Sequence, residues 1–518
     1  MAEIGKNIIE NLTTAMYENS YTIYREYIQN AADSIDKAVD KAIMNKNNAV
    51  IDILIEFAKR RITIYDNAMG ISQSKFRNTL SNIADSQKNP SKEKGFRGIG
   101  RLAGLAYCDK LVFRTSTKGE KKESIMEWNG AKLRQILADP KQHPSASELV
   151  DSIIECFEND CDEEEHFFEV VLDHIIPESD NLLDEHSVIE YLQAVAPVPY
   201  ANTFTHRFKI HEYAKKEGLS IDEYDIQING NPIFKPYKNN LYEKTADRQT
   251  IYDKVNDIEF RQFRTDDGRL LGWLWFAVTK YEKQIPAINK MRGIRVRKCN
   301  IQIGNEETLS YPKFYKESRG NYYFIGELFA VDAELRPNAR RDYFNTNATL
   351  KLFESKIIPV FYNEFYDLYH YANRVKSSFK KTVEYQKKEV EYKEKVKNSG
   401  FIDREEQIAA EKELEIKKEA ADKAKRTIQL RQKDAEKSDI LNRVFKEIES
   451  TYSTNEETEE VPIELEKKNN KKYLSQSLSK YNKREQKLIT KVYSIIKAIL
   501  PKDMADMVVA KIQEELSK

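Results

Sequence analysis

Eight residues near the N-terminus, 26–33, constrain this chain more than any other segment. They read Glu-Tyr-Ile-Gln-Asn-Ala-Ala-Asp, and Glu26, Asn30 and Asp33 follow one another at spacings of four and three. This spacing predicts a helix with the three polar side chains on one face. A helix that packs on both sides of a polar stripe carries that stripe into a site. A carboxylate beside a carboxamide can orient a water molecule and complete the ligand shell of a metal ion.

The length and composition predict an intracellular protein of several domains. The chain has 518 residues, too many for one ordinary core, and 84 basic residues balance 84 acidic ones. This balance gives no global basic field for nucleic acid, although it leaves room for a local patch. The four cysteines are scattered, and no signal peptide or membrane-length apolar run is recognised. We therefore expect a cytoplasmic protein without a membrane partner.

Two further motifs follow the polar stripe. Asp66 comes directly after strands predicted at 49–57 and 61–65, where it can accept a hydrogen bond from an exocyclic amine such as adenine N6, and Gly70 lets the backbone approach a flat ring. The glycine-rich run 95–104 can curl its backbone amides around phosphate. Each motif alone is more often an ordinary turn. Together, in this order and within about 80 residues, they indicate a nucleotide site.

These motifs resemble those of the GHKL ATPases, the group of gyrase, heat-shock chaperones, histidine kinases and MutL. The resemblance is closest to the ninety-kilodalton heat-shock chaperones, with MORC- and MutL-like proteins more distant. Residues 16–26 look like that family's lead-in to its nucleotide helix, and residues 80–86 look like its segment before the lid. The likeness is good over 5–118 and patchy to about residue 345. It implies a Bergerat-type α/β sandwich that binds ATP and Mg²⁺.

The resemblance also implies roles for individual residues. Glu26 would be the general base that polarises the attacking water, and Asn30 would hold Mg²⁺. Asp33 would lie at the pocket wall, Asp66 would bind adenine, and Gly70 would line the base pocket. The residues around the phosphates would be Lys94, Gly95, Phe96, Arg97, Gly98, Ile99 and Gly100.

A second catalytic group is expected from the middle of the chain, because charge at the γ-phosphate needs a further cation. The segment 335–342 resembles the family's middle-domain catalytic loop. By position Arg341 is the best candidate to reach the γ-phosphate, with Arg340 and Arg336 as runners-up. The alternative is that this cluster is only a solvated basic loop.

The chain also departs from the family pattern. Only residues 87–94 separate the pre-lid segment from the glycine-rich run, so we expect a short lid. Glu165 and His166 stand where the family has Gly-Thr before the last strand of the domain. The chaperones' own dimerisation domain is not recognised.

We predict an α+β fold in five segments. These are a GHKL ATP-binding domain (1–182), a linker with a transducer-like α/β middle domain (183–374), a long charged helix or coiled coil (375–450), a flexible linker (451–475) and a C-terminal helical hairpin (476–518). Strands of the middle domain are predicted at 224–228, 270–279, 293–296 and 322–331. The two short amphipathic helices around Pro501 cannot bury much alone, which predicts a homodimer.

Two further sites are weaker candidates, one for a metal ion and one for nucleic acid. The spacings of Cys156, Cys161, His166 and His174 fit no common zinc pattern. Residues 290–298 form a basic strand that either contacts nucleic-acid phosphates or is simply half exposed.

Three functions are compatible with this interpretation. The preferred one is an ATP-gated dimeric clamp on protein clients. The others are a MORC- or MutL-like clamp on nucleic acid, which makes DNA the less favoured partner, and a nucleotide-sensing scaffold with little turnover. The composition, rich in Lys, Asn, Ile and Tyr, suggests a low-GC bacterium, and family analogy suggests a stress or antiviral phage-defence system.

Overall fold

The computed structural model describes residues 5–13, 19–83, 94, 100–246, 248–397, 400–453, 473–474, 478 and 480–517. The chain divides into two compact units, Met1–Tyr366 and Asp367–Lys518. Among the described residues no helix has both the length and the apolar character needed to cross a membrane. The α+β class predicted from the sequence is confirmed.

An eight-stranded sheet forms the first layer of the N-terminal unit. Its strands are β1 (Val50–Glu56), β2 (Arg61–Asp66), β3 (Cys108–Ser116), β4 (Lys122–Asn129), β5 (Ile154–Asp160), β6 (Phe167–Ile175), β7 (Asp225–Ile228) and β8 (Asn231–Pro232). They run in the order β5-β4-β3-β6-β2-β1-β7-β8, and only the β1–β7 pair is parallel. The helices of this region are α1 (Asn7–Thr13), α2 (Thr22–Asp40), α3 (Gln73–Ser81), α4 (Gly130–Ala138), α5 (Ala146–Ile153), α6 (Glu185–Val195) and α7 (Arg207–Lys216).

Alternating residues explain how the sheet holds the polar-striped helix. In β2 every second side chain is buried, beginning with Ile62 and ending with Asp66. The buried face packs in one core cluster with the apolar side of α2. The tight turn from β1 to β2 places Arg60 in the left-handed region at φ 53°. The strands predicted at 49–57 and 61–65 are therefore confirmed, and the last residue of β2 faces the core.

A second sheet follows in the same unit. Its strands are β11 (Asp257–Arg264), β12 (Leu270–Val278), β13 (Gly293–Lys298), β14 (Ile301–Ile303) and β15 (Ile325–Ala330), preceded by a hairpin of β9 (Asn240–Thr245) and β10 (Arg248–Lys254). The order is β11-β12-β15-β13-β14, so β15 is central. Eight of the nine residues of β12 are buried, as its continuous apolar run predicts.

One predicted strand belongs to a different sheet. The strand expected at 224–228 in the middle domain is β7, which pairs in parallel with β1 and so extends the first sheet. Its apolar pattern predicted a strand correctly, but a pattern of period two does not specify which sheet edge a strand joins. The predicted boundary near residue 182 therefore does not separate the strands of the two sheets.

The segment predicted as a long charged helix or coiled coil (375–450) consists of three helices, while the coiled-coil alternative stays a prediction. After α8 (Ala348–Pro359) come α9 (Phe365–Lys397), α10 (Arg404–Ala435) and α11 (Asp439–Ser453). Helices α9 and α10 are antiparallel, as shown by the ion pairs that join Glu384 to Lys417, Lys388 to Glu413 and Lys395 to Glu406. The chain turns near Gly400, and the Asp403 side chain caps α10. Four apolar side chains that recur at helical spacing are buried, namely Phe361, Phe365, Leu368 and Ala372.

The C-terminal helices are α12 (Lys483–Ile499) and α13 (Lys502–Ser517), at the positions predicted for a hairpin. They bury Tyr493 and Val509 against Ile402 of their own unit, so part of the expected need for a partner is met within the chain. A stripe along α12 stays exposed. The predicted linker 451–475 lies mostly outside the described residues, although residues 451–453 complete α11.

Candidate nucleotide site

Helix α2 carries the polar stripe from which the site is built. Glu26 and Asp33 are only 8% and 3% exposed, and Asn30 is partly buried. Ile28 and Ile35, on the apolar side of the same helix, are buried in the core. The helix is therefore fixed by its apolar side chains, and the stripe is held away from bulk water as its spacing predicts.

Two guanidinium groups contact the Glu26 carboxylate. Arg25 Nη2 lies 3.6 Å and Arg341 Nε lies 3.5 Å from Glu26 Oε1, and none of these side chains is more than 10% exposed. Within the described part of the chain, Nε and Nη2 of Arg25 make no hydrogen bond. A buried cation with unused donors suits an anionic group beside Glu26. Gly100 packs against the same carboxylate, because a Cβ there would come within 2.3 Å of Glu26 Oε2.

Asp66 is the last residue of β2 and is 3% exposed. Its Oδ1 accepts a hydrogen bond of 3.1 Å from the amide of Ala68. Burial raises the pKa of the Asp66 carboxyl group to about 7, although the bond from Ala68 acts in the opposite direction. In its ionised form such a carboxylate is an acceptor suited to an exocyclic amine.

Gly70 occupies a position that admits no side chain. Its φ is +66°, and a Cβ would come within 2.0 Å of the carbonyl oxygen of Ser116 and 2.9 Å of that of Phe167. The turn after β2 can therefore lie directly on the ends of β3 and β6 only with glycine here. The approach seen here is to the backbone of two strands, and the predicted approach of Gly70 to a flat ring stays a prediction.

The same turn is held by residues distant in sequence. The Ile71 amide donates to Thr115 Oγ1 at 2.9 Å, and that hydroxyl donates to the carbonyl of Phe167 at 2.6 Å. His166 Nδ1 lies 2.7 Å from the carbonyl oxygen of Ala68. The threonine that the family pattern places near 165–166 is missing, and Thr115 supplies a buried hydroxyl here from β3. No local sequence signal points to Thr115, because strand pairing brings it to the turn.

The structure describes residues 100–104 of the glycine-rich run 95–104, and Lys94 directly before that run. The residues outside the described ranges are Gly95, Phe96, Arg97, Gly98 and Ile99. Their roles remain predictions. Lys94 is 5% exposed, and its ammonium donates to Asp36 at 2.6 Å. The family resemblance implies that this ammonium pairs with phosphate, whereas in the structure it pairs with a carboxylate.

Arg341 reaches the site from the loop after β15. It is 8% exposed, its Nη2 donates to the carbonyl of Lys94 at 2.6 Å, and its φ is +58°. Its carbonyl accepts from the amide of Gly304, where a Cβ would come within 2.6 Å of the carbonyl of Asp342. A left-handed conformation at a non-glycine residue persists only where its surroundings enforce it. The loop is thus anchored against β14 and directs one arginine at Glu26.

The two runner-up arginines behave differently. Arg340 is exposed, and Arg336 Nη2 lies 3.8 Å from Glu334. Of the three candidates, Arg341 is therefore the one whose guanidinium lies beside Glu26. A purely solvated basic loop does not describe this segment, because Arg341 is buried.

The basic strand at 290–298 turns two of its arginines inward. Arg297 is 1% exposed and donates to Glu327 at 2.7 Å, and Arg295 is 8% exposed and donates to Glu306 at 3.1 Å. Lys298 donates to the backbone carbonyl of Asp332. The nucleic-acid interpretation is therefore wrong for the two arginines, since each is already paired with a glutamate inside the protein. Alternation alone did not reveal that both faces of β13 are covered.

The weaker metal candidate also fails. Cys156 is exposed on β5, Cys161 Sγ lies 3.3 Å from Ser116 Oγ, and His174 is exposed beside Asp173. No group of three or more His, Cys, Asp or Glu side chains able to hold a metal is found among the described residues.

Comparison with known proteins agrees with this geometry. Residues 17–159 match the family described as histidine kinase-, DNA gyrase B- and HSP90-like ATPase. The chaperone protein HtpG of Coxiella burnetii (strain RSA 331) is 30% identical over 141 residues, covering 24% of this chain and 22% of HtpG. HtpG of Escherichia coli K12 is 28% identical over 144 residues, covering 24% and 23%.

The N-terminal region of the chain is therefore a GHKL-type ATPase domain with a Bergerat-type α/β sandwich. Its similarity to HSP90-like proteins, expected from the motifs, is confirmed over that region. The chain spans less than a quarter of the length of the HtpG proteins it matches.

Proposed function

We propose that this protein binds and slowly hydrolyses Mg-ATP, and that it acts as an ATP-gated dimeric clamp on protein clients. The observation that carries the proposal is the position of Arg341, 3.5 Å from the Glu26 carboxylate. A buried loop arginine close to the stripe carboxylate of a GHKL-type domain is suitably placed to neutralise charge on a transferred phosphoryl group. Similarity to HtpG supports a chaperone-type client.

The residues present suit Mg²⁺ and a triphosphate. Mg²⁺ is usually held by one or two protein groups together with substrate phosphates, and the Asn30 amide oxygen would serve as such a group. When bound, the metal would neutralise charge on the phosphates. The unused donors of the buried Arg25 beside Glu26 also favour an anion at this place.

The two catalytic groups come from two different places, helix α2 and the loop after β15. Glu26, on α2, would orient the attacking water and accept its proton. Arg341, from the loop after β15, would neutralise the charge that develops on the γ-phosphate. Asp66 would hold the adenine amine, and Asp33 would form the pocket wall. In the present structure Arg341 is paired with Glu26, so a γ-phosphate would compete with that carboxylate for the guanidinium.

The affinity for Mg-ATP should rise with pH because of Asp66. Its pKa is about 7, and only the ionised carboxylate is a full acceptor for the adenine amine. We expect roughly a tenfold gain in affinity between about pH 6 and about pH 8, levelling off above it. Calorimetric titration measures this gain. In the Asp66→Asn variant the remaining dependence of affinity on pH reports the titration of ATP itself. If the affinity depends on pH equally in both proteins, the role of Asp66 is contradicted.

The dimer would form through the exposed stripe of α12. Leu488, Val492, Ile495 and Ile499 are 65%, 41%, 47% and 73% exposed and recur at helical spacing. A second copy of this stripe is the simplest apolar cover, since an isologous contact matches the surface to itself. This proposal retains the homodimer predicted from the sequence.

Charges introduced into the α12 stripe should convert the dimer to a monomer. In a Leu488→Glu/Ile495→Glu variant, two carboxylates per protomer would have to be desolvated in the contact. Multi-angle light scattering of the full chain should report the dimer mass for wild type and half that mass for the variant. Ser494→Glu adds the same kind of charge at an exposed position off the stripe and should remain dimeric. A monomeric wild type, with or without nucleotide, would refute the clamp.

The main argument for DNA as a partner was the basic strand, but Arg295 and Arg297 of β13 are buried. Phosphate release from Mg-ATP, measured with and without duplex DNA at low salt, decides between the two clamps. The protein-client proposal predicts no stimulation by DNA. A cytoplasmic stress or phage-defence setting remains part of the proposal, and it rests on the HtpG similarity and the composition.

A further inference from the structure

A buried ion cluster lies beside the candidate site. We call Lys94, Asp36, Asp222 and Tyr224 the Lys94 cluster. The Lys94 ammonium lies 2.6 Å from Asp36 Oδ2 and 3.5 Å from Asp222 Oδ2, and 5.2 Å from the centre of the Tyr224 ring. The Tyr224 hydroxyl donates to the other oxygen of Asp36 at 2.7 Å. Every charged group of the cluster thus has a partner inside the protein.

The carboxylates of the cluster keep the buried Lys94 ammonium charged. The Lys94 side chain is 3% exposed. Burial alone would lower the pKa of Lys94, but Asp222, Tyr224 and Asp36 raise it above its ordinary value. The ammonium therefore stays charged and bound to carboxylates. A phosphate oxygen would have to displace these carboxylates to bind it.

The backbone of Lys94 holds two residues of the candidate site. Its amide donates to Asp33 Oδ1 at 2.7 Å, and its carbonyl accepts from Arg341 Nη2 at 2.6 Å. Asp33 and Asp36 are about one helical turn apart on α2, so one side chain holds the backbone of Lys94 and the other holds its ammonium. The position of the Lys94 peptide thereby fixes the position of the Arg341 guanidinium relative to Glu26.

The cluster also connects to the core of the second sheet. Asn300 Nδ2 donates to the carbonyl of Asp222 at 2.6 Å, and Lys235 donates to Asn300 Oδ1 at 2.7 Å. Lys235 in turn donates to Glu327 on the central strand β15 at 2.9 Å. Polar contacts thus run without interruption from α2 to the strand whose following loop carries Arg341.

We propose that Lys94 is a positioning residue rather than a phosphate ligand. Through Asp36, Asp222 and Tyr224 the position of Lys94 is fixed, and its carbonyl in turn sets the place of Arg341 for catalysis. This inference rests on the proposed ATPase function for its kinetic consequence only. The contacts themselves exist without nucleotide.

Kinetics of the full chain separates the two roles of Lys94. In Lys94→Met and in Asp222→Asn, kcat for Mg-ATP should fall about 10- to 100-fold, as a displaced catalytic group requires. KM should change by less than about twofold, because neither side chain contacts the substrate. The control Lys110→Met removes an ion pair to Glu127 whose lysine side chain is 48% exposed, and it should keep both constants. A higher KM in Lys94→Met with normal kinetics in Asp222→Asn would overturn the proposal and restore a phosphate ligand.

Hydrogen exchange without nucleotide tests the cluster independently of turnover. Lys94→Met and Asp222→Asn should both speed amide exchange in peptides covering 217–224 and 331–342, while Lys110→Met should not. Tyr224→Phe keeps the aromatic ring and loses the hydroxyl that donates to Asp36, so it should show a smaller effect of the same pattern. This conservative variant controls for misfolding of the other two. If wild type has no ATPase activity but the cluster variants still exchange faster, the proposed ATPase function is refuted while the structural role of the Lys94 cluster is supported. Unchanged exchange in all three cluster variants overturns the cluster, whatever the turnover.

Discussion

Replacing Glu26 with alanine should abolish ATP turnover while leaving ATP binding intact. Glu26 is the carboxylate of the α2 stripe that lies beside Arg341, and loss of a general base costs about 10²- to 10⁴-fold in rate. Binding should persist, because adenine and the metal would be held by Asp66 and Asn30. Since two arginines flank the removed carboxylate, the site becomes more positive, which should favour a trapped nucleotide-bound state.

The matched control for Glu26→Ala is Asp40→Ala. Asp40 is exposed at the end of the same helix, so its loss should leave turnover within about twofold of wild type. Phosphate release and nucleotide affinity are measured on the same preparations. Turnover that survives in Glu26→Ala would contradict the role of Glu26 as the general base, whereas no turnover in wild type would favour a nucleotide-sensing scaffold.

Replacing Glu327 with glutamine should cause the largest loss of stability. Glu327 is fully buried and bonds both Lys235 and Arg297, which are themselves buried. Removing its charge leaves two buried cations without their counter-ion, at a cost of about 3–5 kcal/mol. Trp275 donates to the same carboxylate, so tryptophan fluorescence during urea unfolding reports on this region. Glu243→Gln, which removes an exposed pair with Lys283, should cost less than about 1 kcal/mol.

The lowered pKa of Glu327 predicts that the protein loses stability in acid. Burial alone would raise the pKa of Glu327, but Arg297 and Lys235 lower it to about 2. Since its folded pKa lies below the ordinary value of 4.5, its contribution to stability is present above that value and is lost as pH falls toward 2. Glu327→Gln should therefore lose less stability on acidification than wild type does. Equal losses in both proteins would contradict the assignment.

Local patterns in the sequence predicted the parts of the site that lie within single elements. The spacing of Glu26, Asn30 and Asp33 defines one helix face, and Asp66 follows a strand whose alternation is visible in the sequence. These inferences need only the periodicity of a helix or a strand. Gly70 was predicted to approach a flat ring, whereas the backbone that it approaches in the structure belongs to the distant residues Ser116 and Phe167.

Contacts between distant segments were not predictable in this way. Thr115 reaches the turn after β2 by strand pairing, and Arg341 meets Lys94 across 247 residues. The basic residues of β13 look like a nucleic-acid surface until Glu327 on the neighbouring β15 is seen to neutralise Arg297. Such pairings depend on sheet order, which the spacing within one segment does not encode.

Phosphate release from Mg-ATP by wild type, Glu26→Ala and Arg341→Ala tests the central claim most directly. We predict slow turnover by wild type, and loss of that turnover in both variants while each still binds Mg-ATP. Arg341→Ala should lose about 10²- to 10³-fold, since its cation acts on the charge of the transition state. Turnover in both variants equal to that of wild type would contradict the proposed mechanism.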